Sequence, residues 1–349
     1  MMKRQPKILV VTRETRLKGM LQRWSTKGQA QFAFKRARAV AAVQNGNADD
    51  AMLAEEEAEL DFSELETEDT TYDDAVSQLT RELDFGIPIQ VVDRRFLPTL
   101  DFDMCTVVVV VGQDGLVANT AKYVGDVPIV GVNPDPARFD GVLLPYEAQQ
   151  ARNAVSRVLN QRATTTSVTL AEVTLHDGQR LLAFNDLFIG ASSHVSARYE
   201  LRVGEQSESQ SSSGVLVSTG AGSTGWMSSV MNMARTLSGL NGSEPPDTRP
   251  LRMPWDSPAL AWAVREPFLS RQSGISLVAG NIGEGEDLTI ESRMATGGVI
   301  FSDGIESDFL AFNAGTIARI GVADQRARLV VPSPGRRRSS GPKTSATGR

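Results

Sequence analysis

The stretch that decides the fold class is CTVVVVVGQDGL, residues 105–116 of a 349-residue chain. Its five consecutive valines do not alternate with polar residues, which is typical of a strand covered on both faces in a parallel sheet. A helix-like segment, LVANTAKYV (116–124), follows, and VPIVGVN (127–133) predicts the next strand. This succession of strand, turn, helix and strand predicts an open α/β sheet between about residues 7 and 145.

Two segments that precede this stretch also predict strands, KILVVT (7–12) and IPIQVV (87–92). Between them, residues 49–69 hold eleven carboxylates and neither Lys nor Arg. Like charges at this density repel one another, so the segment is predicted to be a solvated helix or a mobile insert. A docking site for a basic partner is the alternative interpretation of the same charges.

The second half of the chain changes its hydrophobic period from helical to alternating. A helix is predicted over 147–161, and ARYELRV (197–203) then alternates apolar and polar residues as a half-buried strand does. Similar short runs recur at 167–175, 181–190, 214–219, 275–279, 286–291, 298–302 and 315–321. A further helix is predicted near 225–236, and the Gly/Pro-rich stretch 237–258 predicts a long loop.

The predicted architecture therefore has two domains and a tail. Residues 1–145 are predicted to form an α/β nucleotide-binding domain that carries the acidic insert 49–69. Residues 146–332 are predicted to form a β-rich, β-sandwich-like domain. The tail, 333–349, has five basic residues and lacks the large apolar residues that build a core, so we expect it to be disordered.

Composition limits the classes of function. Apolar residues make up 41% of the chain and the net charge is −6, which predicts a folded, soluble protein and argues against nucleic acid as the main partner. One cysteine, Cys105, and two histidines, His176 and His194, offer neither a disulfide framework nor a three-histidine metal site, and no protein metal-ligand set is predicted. The apolar stretches are too short for a membrane span or a secretory signal. We expect a cytoplasmic enzyme or binding protein without a membrane partner.

The turn Gly112-Gln113-Asp114-Gly115 is the first candidate for chemistry. It lies where a parallel strand ends and a helix begins, which is where open α/β sheets bind ligands. Glycines let the backbone approach a phosphate, and the free N–H groups of a helix N-terminus attract an anion. The Asp114 carboxylate can accept a proton or hold Mg²⁺. The alternative is a tight turn in which Asp114 caps the helix.

Two more segments carry polar groups next to apolar runs. GAGSTG (220–225) matches G-x-G-x-x-G, but a loop (242–246) stands where a dinucleotide-binding fold needs a strand ending in an acid, so hydride transfer is disfavoured. Its hydroxyl and N–H groups can still bind phosphate or ribose. Asn185 and Asp186 can hold a ribose diol, or can simply form a polar turn. Neither a P-loop nor the protein-kinase signature occurs, so phosphoryl transfer would use neither framework.

Taken together, these segments resemble the NAD kinase family in order and spacing from about residue 85 to 332. The family's GGDGT turn, Asn-Glu pair, Gly-Ser-Thr loop and late Asp-Gly appear here as GQDGL (112–116), Asn185-Asp186, STGAGSTGW (218–226) and Asp303-Gly304. Four longer segments resemble the mitochondrial-type subgroup: GVNPDPARFDGVLLP (131–145), NDLFIGASSHVSARYEL (185–201), AWAVREPF (261–268) and FNAGTIARI (312–320).

The resemblance implies an NAD kinase-like fold with NAD and ATP bound between the two domains. It implies ATP-dependent phosphorylation of the adenosine ribose 2′-hydroxyl of NAD to give NADP, with Mg²⁺, in a protein that is at least a dimer. By residue match, Asp114 takes the catalytic role of deprotonating or orienting that hydroxyl. The matched binding residues are Gly112 and Gly115 on the phosphate path, Asn185 and Asp186 on NAD, and Ser223, Thr224, Gly225 and Trp226 near the dinucleotide.

Three departures from the family pattern keep alternatives open. Gln113 replaces a glycine, Leu116 replaces a threonine, and Asp186 is one methylene shorter than the family's glutamate. These changes favour two other hypotheses. One is a catalytically weak or inactive NAD- or nucleotide-binding regulatory protein, and the other is a kinase for another ribosyl or lipid hydroxyl.

Overall fold

Two β-sheets, one of ten strands and one of six, organise the chain. The computed structural model describes residues 6–24, 26–45, 48–239 and 251–332. The predicted tail lies outside these residues, as does part of the predicted loop 237–258. Among the described helices, none is both long enough and apolar enough to cross a membrane.

Four parallel strands begin the ten-stranded sheet, in the order β2-β1-β3-β4. They are β1 (Lys7–Thr12), β2 (Ile89–Asp93), β3 (Cys105–Val111) and β4 (Ile129–Val132). The β3 valines alternate between two buried clusters. One cluster contains helix α4 (Asp114–Ala121), and the other contains helices α3 (Ala48–Glu82) and α5 (Ala148–Leu159). The parallel sheet predicted from the run of valines is confirmed, as is the helix predicted over 147–161.

The acidic segment does not behave as its charge predicts. It forms the first part of the 35-residue helix α3, which lies against α1 (Arg16–Leu21) and α2 (Lys27–Asn45). Phe62 and Leu65 are buried there, and Glu68 is buried in ion pairs with two arginines. The helix predicted as one of the two forms is thus present, but over residues 61–69 it is neither mobile nor fully solvated, because one of its faces is buried. A count of charges misses the helical spacing of these side chains and the partners that the fold brings to them.

The second half of the chain extends the same sheet. The strands β5 (Thr165–Leu175), β6 (Arg180–Ala183), β8 (Ala197–Val203), β9 (Gln206–Ser212), β13 (Leu288–Ser292) and β16 (Ile317–Val330) all join it. The last strand pairs antiparallel with β5 and β13, and its Leu329 pairs in parallel with Ile129 of β4. The sheet is thus continuous across the predicted boundary at residue 145.

The six-stranded sheet packs against the C-terminal part of the first sheet. Its order is β12 (Ala279–Gly283), β11 (Ala259–Val264), β10 (Val215–Ser218), β7 (Asp186–Ala191), β14 (Gly298–Ser302) and β15 (Ile305–Ala311). Its inner face shares an apolar cluster with β8, β13 and β16. Helix α6 (Trp226–Ser238) covers part of its outer face. This β-rich half agrees with the predicted architecture.

Strand ends and three whole strands differ from the sequence prediction. The run 181–190 is divided into β6 and β7, because the chain passes from one sheet to the other at Phe184-Asn185. The predicted strand 315–321 continues to Val330, and the strand expected at 275–279 begins only at Ala279. The strands β9, β11 and β15 were not predicted. The first is QSESQSS, and the third is an exposed edge strand, so neither shows the apolar alternation of a half-buried strand.

Candidate functional site

The Asp114 turn lies at the carboxyl end of β3, as the sequence predicts. Gly112 is buried, and its amide donates to the carbonyl oxygen of Val132 at 3.2 Å, while Gln113 is exposed at the helix N-cap. The Leu116 side chain is 4% exposed and packs in the core beneath α4. Leu116, which replaces the family's threonine, is therefore a core residue. Gln113, which replaces the family's glycine, is exposed to solvent.

The Asp114 carboxylate is tied to the loop that follows β4. Its two oxygens accept from the amides of Val142 at 3.1 Å and Leu143 at 2.9 Å. These bonds fix the direction of the carboxylate. Because an ionised carboxylate offers about four acceptor positions, they leave it able to accept from a ligand hydroxyl as well.

The Asn185-Asp186 pair is held in place by Asp303, which lies in the turn between β14 and β15. The Asp303 carboxylate accepts from the amides of Phe184 at 3.0 Å, Asn185 at 2.6 Å and Asp186 at 3.3 Å. In return, the Asp303 amide donates to the carbonyl oxygen of Asp186 at 2.9 Å. The sequence showed Asp303 only as part of an Asp-Gly match, and its contact with residues more than a hundred positions away was missed.

The Asp186 side chain has one oxygen without a hydrogen-bond partner in the described part of the chain. Its Oδ1 atom is buried and accepts no hydrogen bond from the described residues. Burial raises the pKa of the Asp186 carboxyl to about 7; the Ser218 hydroxyl opposes the rise, and the charge of Asp303 adds to it. Leaving a buried acceptor unpaired costs free energy, so a ligand hydroxyl that donates to Oδ1 would recover it.

The Gly-Ser-Thr loop follows β10 and packs directly on the Asn185 turn. The Thr219 hydroxyl donates to the carbonyl oxygen of Phe184 at 2.6 Å, and the Thr219 amide donates to that of Asn185 at 2.9 Å. A Cβ atom at Gly222 would collide with the carbonyl group of Asn185, so this approach requires glycine. The loop and the Asn185-Asp186 pair therefore form one unit.

The predicted binding residues of this loop differ in their access to a ligand. The Ser223 hydroxyl is fully buried, donates to the carbonyl oxygen of Gly220 at 2.8 Å and accepts from the amide of Met253 at 3.1 Å. Ser223 thus holds the loop together. Thr224 and Gly225 are exposed, and Trp226 is half-buried at the start of α6.

Trp226 forms one wall of a cavity of about 730 Å³. Its indole stacks on Phe188 with ring centroids 5.7 Å apart, and the Arg265 guanidinium lies 5.3 Å from the indole centroid. His194, Glu306 and several serines add polar groups to the lining. Aromatic walls with a few polar groups are typical of small-molecule sites of this size. Of these residues, only Trp226 was assigned a role from the sequence.

The three predicted motifs meet at one apolar cluster. Leu116 of the Asp114 turn and Phe184 of the Asn185 turn are members of it, and Ala221 of the Gly-Ser-Thr loop packs against it. Strand, turn and loop from distant parts of the sequence are thus fixed relative to one another by a shared core. The described residues contain no group of three or more His, Cys, Asp or Glu side chains that could hold a metal ion.

Comparison with known proteins identifies the fold. No family model and no curated protein matches the sequence. Among solved structures, the chain is similar to yeast NADH kinase complexed with NADH, with a TM-score of 0.52 and 14% identity over 95% of this chain and 85% of that chain. The chain has the fold of the NAD kinases.

A second solved structure agrees. An NAD kinase from Archaeoglobus fulgidus in complex with ATP matches with a TM-score of 0.50 and 15% identity, over 73% of this chain and 89% of that chain. At such identities the likeness establishes the fold alone. The predicted NAD kinase-like fold is thereby confirmed, whereas the mitochondrial-type subgroup and the roles of individual residues stay predictions.

Proposed function

We propose that the chain is an NAD kinase, which transfers the γ-phosphoryl group of ATP to the adenosine ribose 2′-hydroxyl of NAD. One observation carries the proposal. The Asp114 turn, the Asn185-Asp186 pair and the Gly-Ser-Thr loop each have a pattern suited to phosphate or ribose, and they pack around one cluster in a fold shared with NADH and NAD kinases.

Asn185 and Asp186 are the proposed ribose-binding pair. The unpaired Oδ1 atom of Asp186 suits a hydroxyl donor, and the backbone that carries it is fixed by Asp303 and by the Gly-Ser-Thr loop. Trp226 and the exposed Thr224 and Gly225 are the proposed contacts for the rest of the dinucleotide. The cavity beside Trp226 is large enough for part of a nucleotide.

Asp114 is the proposed catalytic residue. A ribose hydroxyl becomes an effective nucleophile only when a nearby base accepts or polarises its proton. The amides of Val142 and Leu143 hold the Asp114 carboxylate in one direction, which preorganises it for that contact. Gly112 and Gly115, on either side, are the proposed phosphate path, together with the N-terminal amides of α4.

Mg²⁺ would be carried into the site by ATP. Magnesium in such enzymes usually keeps several waters and takes one or two carboxylates in addition to the substrate phosphates. When bound, the metal would neutralise charge on the phosphates. The Asp114 carboxylate is the side chain that would contact it.

The test is NADP formation by the purified chain. NAD, ATP and Mg²⁺ are mixed with it, and an NADP-specific dehydrogenase reports the product; parallel reactions replace NAD with NADH and ATP with polyphosphate. NADP formation that is lost in Asp114→Asn supports the proposal. Tight NAD binding without turnover would instead favour a regulatory nucleotide-binding protein. Light scattering on the same sample tests the expected dimer.

A further inference from the structure

Lys122 is a buried cation that links the two halves of the candidate site. It caps the C-terminus of α4, the helix that begins at Asp114. Its Nζ atom donates to the Ser302 hydroxyl at 2.8 Å and lies 3.9 Å from Oδ2 of Asp303. The side chains of Lys122 and Asp303 are each only 2% exposed. An isolated ammonium in such a place is costly, so its carboxylate partner is needed.

Asp303 in turn fixes the backbone of residues 184–186. It accepts from three consecutive amides of that turn, and its own φ of 54° is in the left-handed region that non-glycine residues rarely adopt. Such a conformation persists where the surroundings impose it. Within the described residues, Lys122 is the cation that the structure pairs with this carboxylate.

We propose that Lys122 is a positioning residue for the nucleotide site: it holds the Asp303 carboxylate in place, and so aligns the Asn185-Asp186 pair with the helix that carries Asp114. This inference rests on the proposed function. Hydrogen bonds to an ionised carboxylate are about twice as strong as those to a neutral acceptor. Loss of the ammonium therefore weakens all three bonds to the 184–186 turn together.

The pKa values of the pair agree with this geometry. Burial raises the pKa of Asp303, and the Lys122 ammonium is the first of the groups that oppose the rise, ahead of the three amides. Burial likewise lowers the pKa of Lys122, and the charge of Asp303 opposes that change. Without Lys122, Asp303 takes up a proton more readily and its bonds to the turn loosen.

The competing explanation is that Lys122 only joins helix α4 to the β14–β15 hairpin and has no effect on the nucleotide site. The neighbouring residue, Tyr123, offers a matched control. The Tyr123 hydroxyl donates to Oδ2 of Asp308 at 2.7 Å, which joins the same helix end to the same β14–β15 hairpin. This bond does not involve Asp303. Tyr123→Phe therefore removes a tie between the same two elements and leaves the Lys122–Asp303–turn connection intact.

The experiment compares Lys122→Met, Lys122→Arg and Tyr123→Phe in the full chain. For Lys122→Met we expect the KM and Kd for NAD to rise by roughly tenfold or more and kcat to fall similarly, since small misplacements at a reacting centre have large effects. The KM for ATP should change less than twofold. Lys122→Arg should recover part of the loss, and Tyr123→Phe should leave all three kinetic constants within twofold of the parent.

Amide hydrogen exchange gives a readout that does not depend on activity. Lys122→Met should accelerate exchange at residues 184–186, and Tyr123→Phe should not. If Lys122→Met does not fold, Ser302→Ala keeps the charge and removes its hydrogen bond, and a smaller change in the same direction is expected. Kinetics and exchange that match those of Tyr123→Phe would overturn the inference. A parent that neither binds nor phosphorylates NAD would refute the proposed function, while exchange would still decide whether Lys122 holds the turn.

Discussion

Asp186→Asn should change how the stability of the protein depends on pH. Burial raises the pKa of the Asp186 carboxyl in the folded chain from its ordinary 3.8 to about 7. The folded state therefore holds a proton that the unfolded state releases between about pH 4 and pH 7. By linkage, stability is greatest below this window and is lost as the pH rises through it. Asparagine does not ionise, so the variant lacks this loss.

The size of this change in the free energy of unfolding follows from the difference between the folded and unfolded pKa values of Asp186. A difference of about three pKa units corresponds to at most about 4 kcal/mol, and partial exposure of the side chain reduces it. Urea unfolding at pH 5 and at pH 8 measures the difference between variant and parent. Because only about two of these three units lie between pH 5 and pH 8, we expect Asp186→Asn to be less stable than, or equal to, the parent at pH 5 and to gain about 1–3 kcal/mol on it at pH 8.

A control without this pH dependence is available in the β5–β6 turn. Hydrogen bonds from Gln179 lower the pKa of the exposed Asp177 carboxyl. Its contribution to stability is lost only in acid below pH 5, so the free energies of unfolding of Asp177→Asn and the parent should run parallel between pH 5 and pH 8. The reasoning about Asp186 fails if the free energies of unfolding of Asp186→Asn and the parent run parallel between pH 5 and pH 8.

Three further predictions concern side chains whose roles differ in kind. Asp114→Asn should lower kcat for NADP formation by about 10² to 10⁴ with the Kd for NAD largely kept, and unchanged turnover would exclude Asp114 as the base. Glu68→Ala should lower the free energy of urea unfolding by about 1.5–3 kcal/mol, whereas the exposed Glu64→Ala should not; equal values would show that the acidic segment is dispensable. Trp226→Ala, measured by calorimetry, should weaken NAD binding by roughly 3- to 10-fold through loss of its stack on Phe188, and Trp226→Phe should weaken it less.

The features that could be predicted from the sequence are those whose residues lie close together along the chain. The five valines of β3 indicate a strand of a parallel sheet, and the glycines directly after them indicate a tight turn. Both features could be predicted because their residues lie within a dozen positions. The pair of Lys122 and Ser302 spans 180 positions and leaves no local pattern. The burial of Glu68 was equally hard to predict. The acidic composition of its segment indicates exposure to solvent, and its partners, Arg13 after β1 and Arg16 in α1, are more than fifty residues away in the sequence.

The type of a side chain alone does not show whether it binds a ligand or stabilises the fold. The pattern GAGSTG predicts a loop whose hydroxyl and N–H groups can bind phosphate or ribose. The structure uses Ser223 to hold the loop to Met253 and uses Thr219 to hold it to Phe184. Asp114 likewise supports the loop at 142–143 through its carboxylate, in addition to the catalytic role proposed for it. Serine, threonine and aspartate satisfy backbone groups in tight turns as readily as they bind ligands, and only the fold separates the two uses.

Elements from both halves of the chain hold the proposed site together, so the two predicted domains are not structurally independent there. The last strand, β16, contributes Ala323, Ala327 and Leu329 to the cluster beneath the Asp114 turn, and it also pairs with the antiparallel strands of the second half. Lys122 reaches from the first half to the β14–β15 hairpin. Because the same elements close the core and align the polar residues, a shift of one half against the other disturbs the Asp114 turn and the Asn185-Asp186 pair together. The relative positions of the turn and the pair are therefore set by packing between the two halves.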